Sequence, residues 1–428
     1  MNGAPDAQRK SLALERLVQR KTLRAIAEFF VVGTFTVAFA FTAIGICTAV
    51  LGKNAAGSRD FVEYWASGQQ LAHHANPYDV NAILGIERSL GGFPSDIPAM
   101  VMGNPPSALL LVFPLGFVGS RVGEILWSLF LLACLITSVR IIWKIHGAPK
   151  NQMHYLGYLF GPALVCLAAG QVSVIVLLGL ALFLRLHRTR PFLAGVSLWF
   201  CALKPQLFLP FGVVLLAWIV TSRCYKLLVG AMSAIAFSAA ISTLLDPAVW
   251  TQYSQMMRAS RYDKIPIPCL SIVLRQAISP NTVWLQYLPA AIGCIWALAY
   301  FRRHRDDWNW VVHGSPLILV SILVAPYIWL IDQTVAIPAL LHAVYVTRSR
   351  ALIGVLMLAN AVIELAPLRG MSLLHSAFYL WTAPLWLAWY WFATHARTSE
   401  NANNSSRRIV GAPAASEDPV IESAELSI

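Results

Sequence analysis

Asp60, Glu63 and Tyr64 stand at i, i+3 and i+4 in the segment Arg59-Asp60-Phe61-Val62-Glu63-Tyr64-Trp65. On a helix, that spacing puts two carboxyls and a phenol on one face. A carboxylate so placed can take a proton from a hydroxyl, and the aromatic neighbours can pack on a sugar or an isoprenoid. The other reading of Asp60 is a helix N-cap whose side chain accepts a backbone N–H. Spacing leaves both open.

Lys204-Pro205-Gln206 lies midway along Pro191–Thr221, between the basic flanks Arg185–Arg190 and Arg223–Lys226. Proline lacks an N–H and disfavours helix at the residue before it, so the stretch should break at Lys204. It then either crosses and returns or dips in and comes back, with Lys204 at the tip. A lysine lined by protein suits a phosphate or pyrophosphate; a snorkelling lysine at a turn is the alternative. Gly170-Gln171, between two apolar runs, reads as a similar break. Asp332-Gln333, after Pro326-Tyr327-Ile328-Trp329, is another. There Asp332 either caps the next helix or serves the site. Glu364 and Arg369 read as an interfacial ion pair. His73 and His74 point about 100° apart on a helix and have no evident third ligand, so no metal and no cofactor are expected.

The elements that position these residues follow from composition. With 57% hydrophobic and 12% charged residues, the chain is an all-α polytopic membrane protein rather than a soluble domain. The runs Glu28–Leu51, Arg121–Lys144, Lys226–Asp246, Val283–Phe301 and Leu374–Ala393 approach or exceed the roughly 20 residues of a transmembrane helix. Shorter runs bring the expected total to about twelve crossings. Residues 1–27 read as a basic cytoplasmic lead, 28–394 as the transmembrane domain, and 395–428 as a disordered cytoplasmic tail. The first apolar run reads as an uncleaved anchor.

The net charge of +12 is topological. Placing both termini inside puts most Lys and Arg on the inner face, as the positive-inside rule requires. No motif that reads DNA or RNA accompanies the charge, so nucleic acid is not an expected partner. The outer loops, about 52–120 and 246–282, then face away from the cytoplasm. In the second, Arg258, Arg261, Lys264 and Arg275 form a basic group suited to lipid headgroups or to a lipid phosphate. The seven cysteines are scattered and suggest neither a disulfide framework nor a CxxC metal site.

The order Asp60-Phe61-x-x-Tyr64-Trp65-x-x-Gly68, Asn76-Pro77-Tyr78-Asp79, Asn104-Pro105-Pro106-Ser107-Ala108-Leu109-Leu110 and Pro114-Leu115 resembles the opening of glycosyltransferase family 87. The likeness continues through Gly170-Gln171-Val172, Arg190-Pro191-Phe192-Leu193-Ala194-Gly195, Leu203-Lys204-Pro205-Gln206, Pro326-Tyr327 and Asp332, roughly Arg59 to Ala343. The resemblance implies a GT-C-type bundle with short helices in the first outer loop, where Pro105–Val118 would form a surface or half-inserted helix. It also implies a polyprenyl-phosphate sugar donor, mannose by analogy, a lipid or glycan acceptor, inversion at the anomeric carbon, and a bacterial inner-membrane location. Asp60 would be the general base. Arg59, Glu63, Tyr64, Trp65, Asn104, Gln171, Lys204, Gln206 and Asp332 would bind substrate. A transporter or flippase of a lipid-linked saccharide does not require a long outer loop opening on an acid. A polysaccharide ligase or polymerase would centre on a large late loop, whereas the largest outer loop here comes early.

Overall fold

The apolar runs become helices, and no strand occurs among the described residues of the computed structural model, which are 4–52, 57, 59–90, 98–259, 267, 269–369 and 376–395. The tail from 396 and the pair Arg261 and Lys264 lie outside them. In chain order the helices begin with α1 (Ala4–Leu51), α2 (Phe61–Ala72), α3 (Val80–Ser89), α4 (Leu109–Val112), α5 (Ser120–Ile145) and α6 (Tyr155–Tyr158). Then come α7 (Gly161–Ala169), α8 (Ser173–Leu186), α9 (Pro191–Cys201), α10 (Leu209–Thr221), α11 (Tyr225–Leu245) and α12 (Val249–Ala259). The last are α13 (Leu270–Ile278), α14 (Leu288–His304), α15 (Gly314–Val324), α16 (Ile337–Val346) and α17 (Arg350–Leu365), followed by α18 over residues 382–395.

Among the described residues, five helical segments are long and apolar enough to cross a membrane: Lys21–Leu51, Ser120–Ile145, Tyr225–Leu245, Val283–Asp307 and Arg350–Arg369. The remaining apolar helices have 10–17 residues, fewer than the roughly 20 that span the hydrocarbon. By helix length, then, the described residues hold five membrane-length helices with shorter broken ones between them. The basic lead and the first apolar run share one helix. That helix is α1, whose 48 residues extend about 72 Å at the usual rise.

The breaks have local causes. Proline occupies the first helical turn of α7, α9, α10, α14 and α16, where its missing N–H costs nothing. Gly170 ends α7 in the left-handed region at φ 80°, a conformation that a side chain disfavours. Asp79 caps α3, its Oδ1 accepting from the N–H groups of Asn81 and Ala82.

Without a hydrophobic drive between helices in lipid, close packing has to hold the bundle. It is densest where α9 lies against α8 and α11, and where α8 meets α5. The expected single helix over Pro105–Val118 is instead broken into a 3-10 turn at Pro106–Ala108, α4, and a second 3-10 stretch at Phe113–Phe117. This kinked segment lies on α2. A Cβ on Gly68 would collide with the Val112 carbonyl, and one on Gly116 with Gly68, so the two backbones approach only because both residues lack one.

One expected ion pair does not form, and one residue of the expected basic group lies elsewhere. Glu364 is buried in α17 and makes no ion pair with the exposed Arg369, because its carboxyl faces the packed interior rather than the helix end. Arg275 is not presented to headgroups. It is buried on α13 and its Nη1 donates to Gln286 Oε1 at 2.9 Å. Arg258 ends α12 exposed.

Candidate active site

Three chain breaks come together beside the N-terminus of α2, the third joined to the other two through Lys204 and Ser173. They are the turn between α7 and α8, the tip between α9 and α10, and the segment between α15 and α16. Each break frees side chains at a helix end, and Gln171 joins the one at the α9–α10 tip to those of α2. Its Oε1 accepts from Tyr64 Oη at 2.7 Å and from Lys204 Nζ at 3.2 Å. Its Nε2 donates to Asp60 Oδ2 at 2.8 Å and to Glu63 Oε1 at 3.0 Å. Two donors on one side and two carboxyls on the other set the orientation of the amide and use both faces of it. The turn itself is pinned by Trp127, whose Nε1 donates to the Gly170 carbonyl at 2.7 Å and whose ring packs 5.4 Å from that of Tyr64.

Lys204 stands at the tip of the α9–α10 hairpin, where the backbone breaks into a 3-10 turn at Pro205–Phe208. Its Nζ lies 2.6 Å from Asp332 Oδ1 and donates to Ser173 Oγ at 3.2 Å. Asp332 is fully buried and also accepts from Ser173 Oγ at 2.7 Å and from the Trp329 N–H at 3.0 Å. A buried carboxylate needs this many partners to offset its desolvation. Asn104 steadies the same tip, its Nδ2 donating to the Leu203 carbonyl at 2.9 Å.

Asp60 precedes α2, but its side chain makes no capping hydrogen bond. The carboxylate turns toward Gln171 instead. Glu63, one turn along, is partly accessible. Burial, then the charge of Asp60, push its carboxyl up to about 8. At neutral pH this places a carboxyl holding a proton beside Asp60, both bonded to one amide. The Tyr64 hydroxyl is held well above its usual range, chiefly by burial and then by Glu63.

Arg59 points away from this cluster. Its Nη1 bonds Glu124 Oε1 at 2.9 Å, while Nη2 and Nε donate to the carbonyls of Leu167 and Ala168 at 2.7 and 2.6 Å. Glu124 has no exposed surface and is shared with Arg121 at 3.3 Å. Arg59 therefore ties the start of α2 to α5 and to the end of α7. Trp65 is likewise committed, its Nε1 donating to the Val118 carbonyl at 2.9 Å. Gln206 sits half-buried in the turn after Lys204.

The structure thus gathers Asp60, Glu63, Tyr64, Gln171, Lys204 and Asp332 into one connected network. Asn104, Arg59 and Trp65 surround it as braces. Ser173 belongs to it, Trp127 and Glu124 join the braces, and none of the three carries a sequence signal of its own. Ser173 lies 159 residues from its partner Asp332, and nothing in local spacing joins them.

No curated protein and no solved structure matches the chain. The sequence profile described as glycosyltransferase family 87 matches residues 103–347. That span holds Asn104, Gln171, Ser173, Lys204, Gln206 and Asp332, and begins after Asp60, Glu63 and Tyr64. Over half of the chain is covered, membrane-length helices accompany the match, and the chain belongs to glycosyltransferase family 87, as a membrane glycosyltransferase.

Proposed function

We propose that this protein transfers a hexosyl group, mannosyl by family analogy, from a polyprenyl-phosphate donor to a hydroxyl of a lipid or glycan acceptor. The observation that carries the reading is the Gln171 carboxamide, which holds the Asp60 carboxylate on one side and the Lys204 ammonium on the other. A base for the acceptor and a cation for the leaving group are then separated by the width of one amide. The acceptor oxygen attacks the anomeric carbon as Asp60 takes its proton. The bond from that carbon to the phosphate oxygen breaks, and the phosphate leaves with the electron pair. Attack opposite the leaving group inverts the centre.

Lys204 has three N–H donors, directed at Asp332, Ser173 and Gln171. A phosphate oxygen arriving there replaces a neutral acceptor, Ser173 or Gln171, while Asp332 keeps the ammonium aimed. An apolar groove of about 470 Å³ lined by Leu110, Trp199, Phe200 and Phe237 opens one helical turn before Lys204, a fitting bed for an isoprenoid chain. Arg59 and Trp65 act as positioning residues in this reading.

Orientation follows from charge. The helix ends remote from the network carry Arg140, Lys144, Arg185, Arg188, Arg223, Arg302 and Arg303. Positive residues favour the cytoplasmic side, so the network belongs on the extracytoplasmic side of a bacterial inner membrane, with both termini inside. The short helices also run from the basic end to the network, and they supply the passes that would bring the total to about twelve. From Arg190 to Lys204 a helix climbs only about 20 Å, which recesses the site below the membrane surface.

The test is transfer of labelled sugar from polyprenyl-phosphate mannose in liposomes, comparing wild type with Asp60→Asn at equal folded protein. Loss of a general base should lower the rate by about 100- to 10,000-fold. Equal rates would remove Asp60 from the mechanism.

A further inference from the structure

At the opposite end of α14 from the network, three metal-type ligands converge. The segment leading into α14 is at the network end, where Gln286 Nε2 donates to the Pro326 carbonyl at 2.7 Å. The last turn of α14, bearing His304, is therefore about 24 Å further along the helix. There His304, Asp307 in the following 3-10 turn and His313 before α15 bring one ligand atom each to within 4.8 Å of one another.

We propose that His304, Asp307 and His313 form a binding site for a zinc-class divalent cation that clasps the α14–α15 turn. The donor set is two imidazoles and one carboxylate, with an open side for water. That is the three-ligand set of an accessible zinc site.

The spacing of His313 and Asp307 points the same way. Their Nε2 and Oδ2 atoms are 3.7 Å apart, too long for a good hydrogen bond. Two ligands on one zinc ion, each about 2.0–2.2 Å from it, sit about 3.3–3.5 Å apart. A small contraction brings them onto a shared ion.

His313 is oriented from behind. Its Nδ1 lies 3.0 Å from Tyr300 Oη, and the Trp308 ring stacks on it at 5.2 Å. When Nδ1–H donates to the phenol, Nε2 carries the lone pair and faces Asp307, the usual outer-shell arrangement of a metal-bound histidine. His304 stacks on His313 with centroids 4.8 Å apart. The C-terminus of α14 adds the negative end of its dipole. Arg302, Arg303 and Arg305 are exposed, and Arg305 pairs with Asp306, which leaves the carboxylate of Asp307 for the ion.

The test uses full-length protein in detergent, stripped by chelator and with any affinity tag removed, titrated with Zn²⁺ by calorimetry and with Co²⁺ by visible absorption. One ion per chain is expected, with tetrahedral-type cobalt bands and a raised Tm with zinc. His304→Gln and Asp307→Asn lie on the accessible side, so they should leave the metal-free Tm unchanged and weaken binding at least tenfold. Tyr300→Phe should weaken it less. Wild type that takes up no ion, or binding that survives the His304→Gln/Asp307→Asn double substitution, overturns the proposal. The readout does not involve glycosyl transfer, so its failure and that of the proposed reaction are distinguishable.

Discussion

Gln171 Nε2 donates to Asp60 Oδ2 at 2.8 Å across a sequence separation of 111 residues. The same nitrogen also reaches Glu63, and the amide oxygen reaches Lys204 and Tyr64. Gln171→Leu, of similar volume, leaves four polar groups without that partner. A hydrogen bond to a charged group contributes about 1.5–3 kcal/mol, so transfer should slow by roughly 10- to 100-fold. If Gln171 aligns the base, kcat falls more than KM rises. Steady-state kinetics with the lipid donor separates the two.

Lys204 and Asp332 form an ion pair in which Asp332 is fully buried and Lys204 partly so, and each carries part of the other's desolvation. Lys204→Met alone strands the Asp332 carboxylate and should cost about 3–5 kcal/mol. Lys204→Met with Asp332→Leu removes both charges and should recover most of that stability without recovering transfer. Thermal unfolding in detergent, read beside the transfer assay, checks both halves. Activity in the stable double variant would show that the cation has no catalytic part.

Glu124 is buried against Arg59. Glu124→Ala should destabilise by about 3–5 kcal/mol because it leaves the guanidinium without its counter-charge. Arg121, partly exposed at 42%, contributes little, and Arg121→Ala should change stability by less than about 1 kcal/mol. Melting curves of the two variants would rank the pairs.

Glu63 predicts a pH effect. Its folded-state carboxyl, raised to about 8 from 4.5, binds a proton that the unfolded chain releases. Its contribution is thus fully present below about pH 4.5 and is lost as pH rises through about 8. Glu63→Gln should remove this decline, so the Tm difference between variant and wild type grows from pH 6 to pH 9. An inflection near pH 8 in the wild-type transfer rate should vanish in the same variant. Tm and rate measured across that range test both.

Close approach of α2 to the kinked segment after Pro105 depends on Gly68 and Gly116. Gly68→Val must displace the Val112 backbone, shifting α2 and with it Asp60. Overpacking of this kind costs about 1–3 kcal/mol, and transfer should fall along with Tm. An unchanged Tm would mean that the segment moves aside freely.

Much of the architecture is local in origin and so was readable along the chain. Hydrophobic length placed α5, α11 and the α14 span within a few residues, since crossing hydrocarbon is a requirement on consecutive residues. Pro205 announced the break that leaves Lys204 at a tip, and Gly170 the end of α7, because proline and glycine act on their own backbone. The i, i+3, i+4 spacing of Asp60, Glu63 and Tyr64 put them on one face for the same reason.

Partners far apart in the chain were a different matter. Residue type allowed Asp60 to be either a cap or a base, and it is the distance to Gln171 that takes its side chain away from the helix N-terminus. Arg59 sits beside Asp60 in sequence and suits a phosphate, yet it is spent on Glu124, which sits inside an apolar run with nothing to mark it as a partner. Glu364 and Arg369 are near neighbours that do not meet. Helix length and chain breaks are written residue by residue, whereas the partner of a buried charge depends on which helices pack together. That packing follows from shape and close backbone approach summed over the whole bundle.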